Sequence, residues 1–195
     1  MTTNDDALAE KLRVLRVHGM APKYHHPLLG VNSRLDTLQA AFLRVKLRRL
    51  EGWASARARN AELYARLLVE AGLAAPSARC EGCVGKASDE DGKAPLVLPA
   101  ACQSRHVFNQ FVIRTRAPAA RDLLREHLQK AGVGTEVYYP VPLHLQKCFA
   151  AWGYRAGDLP RAERAAASTL ALPIFPELNE QEIRHVADTL SSFRW

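Results

Sequence analysis

Apolar positions along this chain recur mostly at helical spacing, and the recurrence breaks once. Leu8, Leu12 and Leu15 share one face of a first helix from Asp5 to Arg16, with Asn4 placed to cap it and Gly19 just past its end. A loop rich in histidine and proline follows, Gly19 to Gly30. The helical stripe resumes near Arg34 with Leu35, Leu38, Phe42 and Val45, continues through Leu63, Leu67 and Ala71, and ends near Gly72. Unbroken, such a helix of ~38 residues at 1.5 Å each would span roughly 57 Å. No compact domain of this size holds it comfortably, so it reads as a link between two bodies. Gly52 is the position expected to divide or kink it.

From Pro76 to Arg105 the periodicity fails, and the charged run Asp89-Glu90-Asp91-Gly92 marks an exposed excursion. Beyond it, Val107 to Ile113 predicts a strand and Pro118 to Ala131 a helix with proline in its first turn and Gly132 at its end. Thr135 to Tyr139 reads as a second strand, Leu143 to Trp152 and Pro160 to Thr169 as short helices, and Leu170 to Pro173 as a short strand. Asn179 with Glu182 three residues on resembles a capping box and opens a last helix that turns Ile183, Val186, Leu190 and Phe193 inward. Strand, helix and strand in succession predict an α/β unit. The expected divisions are 1–72, an irregular insertion 73–105, and a small α/β domain 106–195.

Composition narrows the classes. At 195 residues and 48% hydrophobic, the chain is globular in character. No apolar run approaches the ~18 residues of a membrane span, and the polar start is unlike a secretory signal. A cytoplasmic location is the expectation. The net charge of +7 raises nucleic-acid binding. The arginines, however, are spread along helices (Arg44, Arg48, Arg49, Arg57, Arg59, Arg66) and not gathered among aromatics, so that class ranks well below an enzyme.

Cys80 and Cys83 have zinc-knuckle spacing, and Cys102 with His106 makes a Cys3His site conceivable. Against it, the intervening stretch is loop-like and His106 would come from the start of a strand. The expectation is reduced thiols on an insertion, and no metal.

The run Gly30-Val31-Asn32-Ser33-Arg34-Leu35-Asp36 sets polar donors at the mouth of the long helix, where free N–H groups and the helix dipole suit a phosphate or carboxylate. The same run also describes an ordinary capped helix, with Ser33 as N-cap and Asp36 as dipole partner. A second unusual run is Tyr138-Tyr139-Pro140-Val141-Pro142-Leu143-His144-Leu145-Gln146.

Five segments in one order carry a family resemblance: K-Y-H-H-P-L-L-G-V-N-S-R-L-D-T-L-Q-A-A (23–41), H-V-F-N-Q-F-V-I-R (106–114), Y-Y-P-V-P-L-H-L-Q (138–146), G-D-L-P-R-A-E (157–163) and L-A-L-P-I-F-P-E-L (170–178). Together the chain resembles the C-terminal part of the DegT/StrS-type sugar aminotransferases, pyridoxal-phosphate enzymes that aminate keto groups on nucleotide-linked sugars. The resemblance implies the small C-terminal domain and last large-domain helices of a fold-type I enzyme. It implies a homodimer or a missing N-terminal half as partner, and a nucleotide-sugar substrate.

It further implies that Asn32 reaches the cofactor phosphate held by a neighbouring subunit, with Arg34 adding a charge-assisted contact or ordering the loop. His26 is implied at substrate or at the partner subunit, with His25 a bystander. Tyr139 and His144 are implied at the sugar-nucleotide cleft, although a packed loop in which His144 caps a helix is an equal reading. In many members the position of Tyr138 is histidine.

The family's Schiff-base lysine has no counterpart among the seven lysines here. Thr2-Thr3-Asn4-Asp5 follows the lysine motif in the resembled pattern, so no catalytic residue is assigned and the isolated chain is expected to be inactive. The rival readings are an inert dimerisation or binding module derived from such an enzyme and, behind it, a small basic zinc- or nucleic-acid-binding protein.

Overall fold

The computed structural model describes residues 1–76, 93–101 and 105–195. The expectations for Cys80, Cys83, Cys102 and the run 89–92 lie outside the described residues. The chain forms two compact units, 1–50 and 51–195.

In the first unit, α1 (Asp6–Leu15) is capped by Asp5 and not Asn4: the Asp5 carboxylate accepts from the Leu8 N–H at 3.0 Å. A loop leads to α2 (Thr37–Leu47), capped by Asp36, which accepts from the Gln39 N–H at 2.8 Å. The cap is therefore not Ser33. Neither helix buries a residue. The predicted stripe of α2 is present but remains open, with Leu38 at 68% and Phe42 at 64% exposed.

The long helix is broken at Arg48–Arg49, not at Gly52. The Arg49 N–H donates to the Lys46 carbonyl at 2.9 Å, so the helix closes on a tightened turn. α3 (Leu50–Glu70) starts afresh, and Gly52 sits inside its first turn with open space where a Cβ would lie.

In the second unit, α3 buries Ala54, Ala61, Tyr64 and Leu68. Those spacings follow the helical period. Leu63 and Leu67, which the sequence pattern placed at the centre of the stripe, flank that face and are only partly buried. Three antiparallel strands lie in the order β1 (Leu96–Val97), β2 (Phe111–Thr115), β3 (Thr169–Leu172). β2 alternates, burying Phe111, Ile113 and Thr115.

The helices of this unit supply the rest of the core: α4 (Ala120–Lys130) gives Leu124 and Leu128, and α6 (Glu180–Ser191) gives Ile183, Val186 and Leu190. α5 (Pro160–Ser168) precedes β3. The Asn179/Glu182 capping box forms in full. Asn60 of α3 donates to the carbonyls of Phe175 and Leu178 at 3.0 and 3.1 Å, tying α3 to the segment ahead of α6.

Three expectations give way. β2 begins at Phe111 and not Val107, because Phe108 takes a left-handed conformation, φ 44°. The strand expected over Thr135–Tyr139 is reduced to one bridge, Glu136 to Ala171. Over Leu143–Trp152 the chain makes two 3₁₀ turns, Leu143–Leu145 and Lys147–Trp152, between Pro142 and the left-handed Gly153. β1 went unpredicted because two residues show no period.

Tyr64 is fully buried, its ring stacked on Phe111 at 5.2 Å. Its hydroxyl has no hydrogen-bond partner among the described residues. Burial, and secondarily the nearby Glu182 charge, push the phenol well above its ordinary pKa, so it stays neutral. An unpaired buried hydroxyl costs free energy that phenylalanine does not incur. Tyr64→Phe is therefore expected to stabilise the chain by about 1 kcal/mol in urea unfolding. A destabilised variant would show that the hydroxyl has found a partner.

Candidate functional site

The Asn32 segment is held by a close backbone approach. Gly19 has φ 71°, and a Cβ there would stand 1.9 Å from the Leu28 carbonyl oxygen; a Cβ on Gly30 would stand 2.2 Å from the Gly19 nitrogen. Only glycine permits both. The two close the 19–30 loop at its neck and bring residues 31–33 alongside the end of α1. Val31 donates to Leu15, Ser33 donates to Arg16, and Val31 accepts from His18, all at 2.9–3.0 Å. Asn32 pairs with Val17 in an antiparallel bridge.

Side chains along this extended run alternate. Val31 and Ser33 line a cavity of about 680 Å³ with Leu12, Leu15 and Arg16 of the α1 region, and Asn32 is not among its lining residues. The Asn32 amide therefore points to the opposite side. There its Oδ1 accepts from Arg34 Nε at 3.0 Å. Asn32 Nδ2 and the Arg34 Nη groups have no partner among the described residues, and both residues are exposed. This leaves neutral and cationic donors side by side, the donor set a phosphate takes. The helix start itself is not available to an anion, because Asp36 caps it with a negative charge.

His26 belongs to the same unit. Its Nδ1 lies 3.0 Å from the His18 carbonyl, and His18 in turn bonds Val31, so His26 and Asn32 sit on adjacent, linked segments. His25 uses its backbone to close the turn with Ala21 and Pro22.

Tyr139 and His144 lie in the second unit and differ sharply. Tyr139 is 69% exposed, and its ring meets Tyr138 edge-on at 6.0 Å. His144 is buried, with Nε2 3.1 Å from Glu163 Oε1 and its ring edge-on to Tyr154 at 6.1 Å. The Glu163 carboxylate also accepts from the backbone N–H groups of Gly157 and Leu159. It thus gathers the 157–159 turn and the His144 loop onto the first turns of α5. Sequence reasoning passed over Glu163, although it closes the G-D-L-P-R-A-E segment. Only the fold reveals its partners.

Among the described residues no cluster of histidine, cysteine and acidic side chains is arranged to hold a metal. The six described lysines (Lys11, Lys23, Lys46, Lys93, Lys130, Lys147) are all exposed. No helix among the described residues is long and apolar enough to cross a membrane.

Comparison with known proteins gives the family. The chain belongs to the DegT/DnrJ/EryC1/StrS aminotransferase family, whose model matches residues 1–191. It is 47% identical over 192 residues to a pleiotropic regulatory protein of Geobacillus stearothermophilus, covering 98% of this chain and 45% of that protein. It is 37% identical over 191 residues to the dTDP-3-amino-3,4,6-trideoxy-alpha-D-glucose transaminase of Streptomyces venezuelae, covering 97% and 44%.

The fold superposes on the crystal structure of S. venezuelae DesV with a TM-score of 0.77 and 36% identity, covering 97% of this chain and 45% of that one. It also superposes on NtdA of Bacillus subtilis with bound cofactor PMP, with a TM-score of 0.73, 26% identity, and 97% and 40% coverage. The chain spans less than half the length of the curated relatives it matches.

The Glu163 contacts carry a pH dependence. Its pKa is lowered, first by the Gly157 N–H, then by His144 and the Leu159 N–H, against a desolvation cost. A carboxyl depressed in the folded state contributes stability above its unfolded pKa and loses it as pH falls through the folded value. Glu163→Gln is therefore expected to lower the unfolding midpoint at neutral pH. The gap to the native chain should close on acidification below the ordinary carboxylate range. Midpoints in urea across that range check this; a gap that persists in acid would contradict it.

Proposed function

We propose that this chain is the C-terminal part of a pyridoxal-phosphate-dependent aminotransferase acting on keto-sugar nucleotides. The observation that carries the reading is the Asn32–Arg34 pair, exposed beside α1 with free donors on one face. When bound, the cofactor carries the amino group between donor and acceptor. Asn32 and Arg34 hold its phosphate across a subunit boundary, in a homodimer or with a companion N-terminal half. His26 stands beside them toward the substrate or the partner subunit. On the second unit, Tyr139 presents its face to the sugar-nucleotide side, and His144 sets that wall through Glu163. In this reading residues 1–72 complete the large domain and its linking helix, 73–105 are an insertion, and 106–195 form the small domain. The open stripe of α2 is where the rest of the large domain or the partner packs.

One observation favours a second reading, a non-catalytic module that keeps the assembly surface. The family's chemistry needs a buried amine of lowered pKa. Every described lysine is exposed.

Two outcomes test these readings. The 195-residue chain, incubated with pyridoxal phosphate and reduced with borohydride, is expected to show no stoichiometric label at one lysine and no amino transfer to a keto-sugar nucleotide. Labelling with transfer would overturn that expectation. In a protein completed with a lysine-bearing N-terminal half, Asn32→Ala is expected to weaken cofactor retention by roughly ten-fold, the equivalent of one charged-acceptor hydrogen bond of about 1.4 kcal/mol. Mixing that variant with one lacking the lysine should restore activity, because a mixed dimer then holds one intact site. No recovery despite proven subunit exchange would mean that Asn32 serves its own subunit's site or none.

A further inference from the structure

A cavity of about 40 Å³ lies in the second unit at the end of the β2–β3 pair away from Phe111, where Thr115 closes β2 and Thr169 opens β3. Arg114, Thr115 and Arg116 line it from β2 and the residue after it, and Arg164 and Ser168 line it from α5. Tyr139, His144 and Glu163 are not in its lining. We propose that this cavity binds a compact oxyanion of the phosphate class. The site is separate from the Asn32–Arg34 pair, and it stands or falls independently of the aminotransferase reading.

Strand geometry gathers the first two cations. Phe111, Ile113 and Thr115 turn into the core, so Arg114 and Arg116 share the opposite face. β2 is the central strand, and Arg114 registers against Val97 of β1 on one side and Thr169 of β3 on the other. Arg116 is tied to the segment ahead of β1: its Nε donates to the Ala94 carbonyl at 2.6 Å and its N–H to the Pro95 carbonyl at 2.9 Å. Lys93, one residue further upstream, adds its charge to the same neighbourhood. The third cation comes from α5, where Arg164 and Ser168 are four apart and share a helix face. The Thr115 hydroxyl donates to the Ser168 carbonyl at 3.2 Å, and the Ser168 hydroxyl donates to the Arg164 carbonyl at 2.6 Å. Both hydroxyls belong to buried residues. This chain of bonds sets the end of α5 against the end of β2 and brings Arg164 to the cavity.

Charge and donor chemistry select the ligand class. Three guanidinium groups line one cavity, and among the described residues no acidic side chain does. A concave site walled by one sign of charge focuses its field and concentrates counter-ions there. The Arg164 guanidinium is exposed and makes no hydrogen bond or ion pair with any described residue. Its planar fork of N–H donors fits two oxygens of a phosphate at once, which an ammonium does not. The Thr115 and Ser168 hydroxyl protons are spent on carbonyls, so recognition falls to the charged donors. The small volume suits a single oxyanion and not a nucleotide. A bound anion bridges β2 to α5, the helix whose Glu163 holds His144.

The test is a titration of the ¹⁵N-labelled 195-residue chain with inorganic phosphate, replacing chloride at constant ionic strength and followed by NMR. The Nε–Hε signals of Arg114 and Arg164 are expected to move and to saturate at millimolar phosphate. The urea unfolding midpoint is expected to rise over the same range, because a ligand of the folded state alone stabilises it. Arg164→Gln, with an otherwise unchanged spectrum, should weaken both the Arg114 response and the midpoint rise by roughly five-fold or more. Arg59→Gln removes an exposed arginine of α3 that does not line the cavity, and it should leave both unchanged. Absence of a response, a drift that does not saturate, or an equal loss in Arg59→Gln would reduce the effect to the net positive charge of the chain and overturn the site. A response that appears only in the triple variant Asp89→Asn, Glu90→Gln, Asp91→Asn would give the cavity to that acidic run and overturn it as well.

Discussion

Phe111 is the side chain on which the second unit turns. It is buried at the first position of β2, stacked on Tyr64 of α3 and registered against Leu172 of β3. Helix and sheet are thereby locked at one point. One residue upstream, Gln110 lines a recess of about 320 Å³, and Leu172, the partner of Phe111 across the ladder, lines it too. A buried apolar anchor at the start of a strand fixes where the neighbouring polar side chains lie.

The first unit follows the opposite logic. Its two helices bury nothing, and its order comes from backbone: the Gly19–Gly30 approach and the hydrogen bonds that run residues 31–33 along the end of α1. Such a unit gains little from hydrophobic burial within itself. Its apolar stripe is surface of the kind that larger assemblies cover. This accords with a chain that spans less than half the length of the curated relatives it matches.

Between these extremes lies the His144–Glu163 pair. A buried imidazole beside a carboxylate fed by backbone N–H groups is a positioning device. It holds the 140–146 segment from behind and leaves Tyr139, a few residues away, free to face outward.

Much was legible from sequence because it depends on local chemistry. The capping box at Asn179, the helices at 118–131 and 160–169, and the family-bearing segments all rest on patterns a few residues long. The loop that runs residues 31–33 to the start of α2 and the apolar stripe of α2 were visible for the same reason. What sequence could not settle were features set by residues far apart in the chain. The break at Arg48–Arg49, the one-residue rotation of the buried face of α3 toward Tyr64 and Leu68, and the reduction of 135–139 to a single bridge were decided by packing. So was the left-handed Phe108, which spoils a strand that its alternation predicts. Glu163 found His144 across 19 residues. Periodicity reports how a segment would bury itself; which neighbour it buries against, and which polar groups are then left to bind something else, is a property of the folded whole.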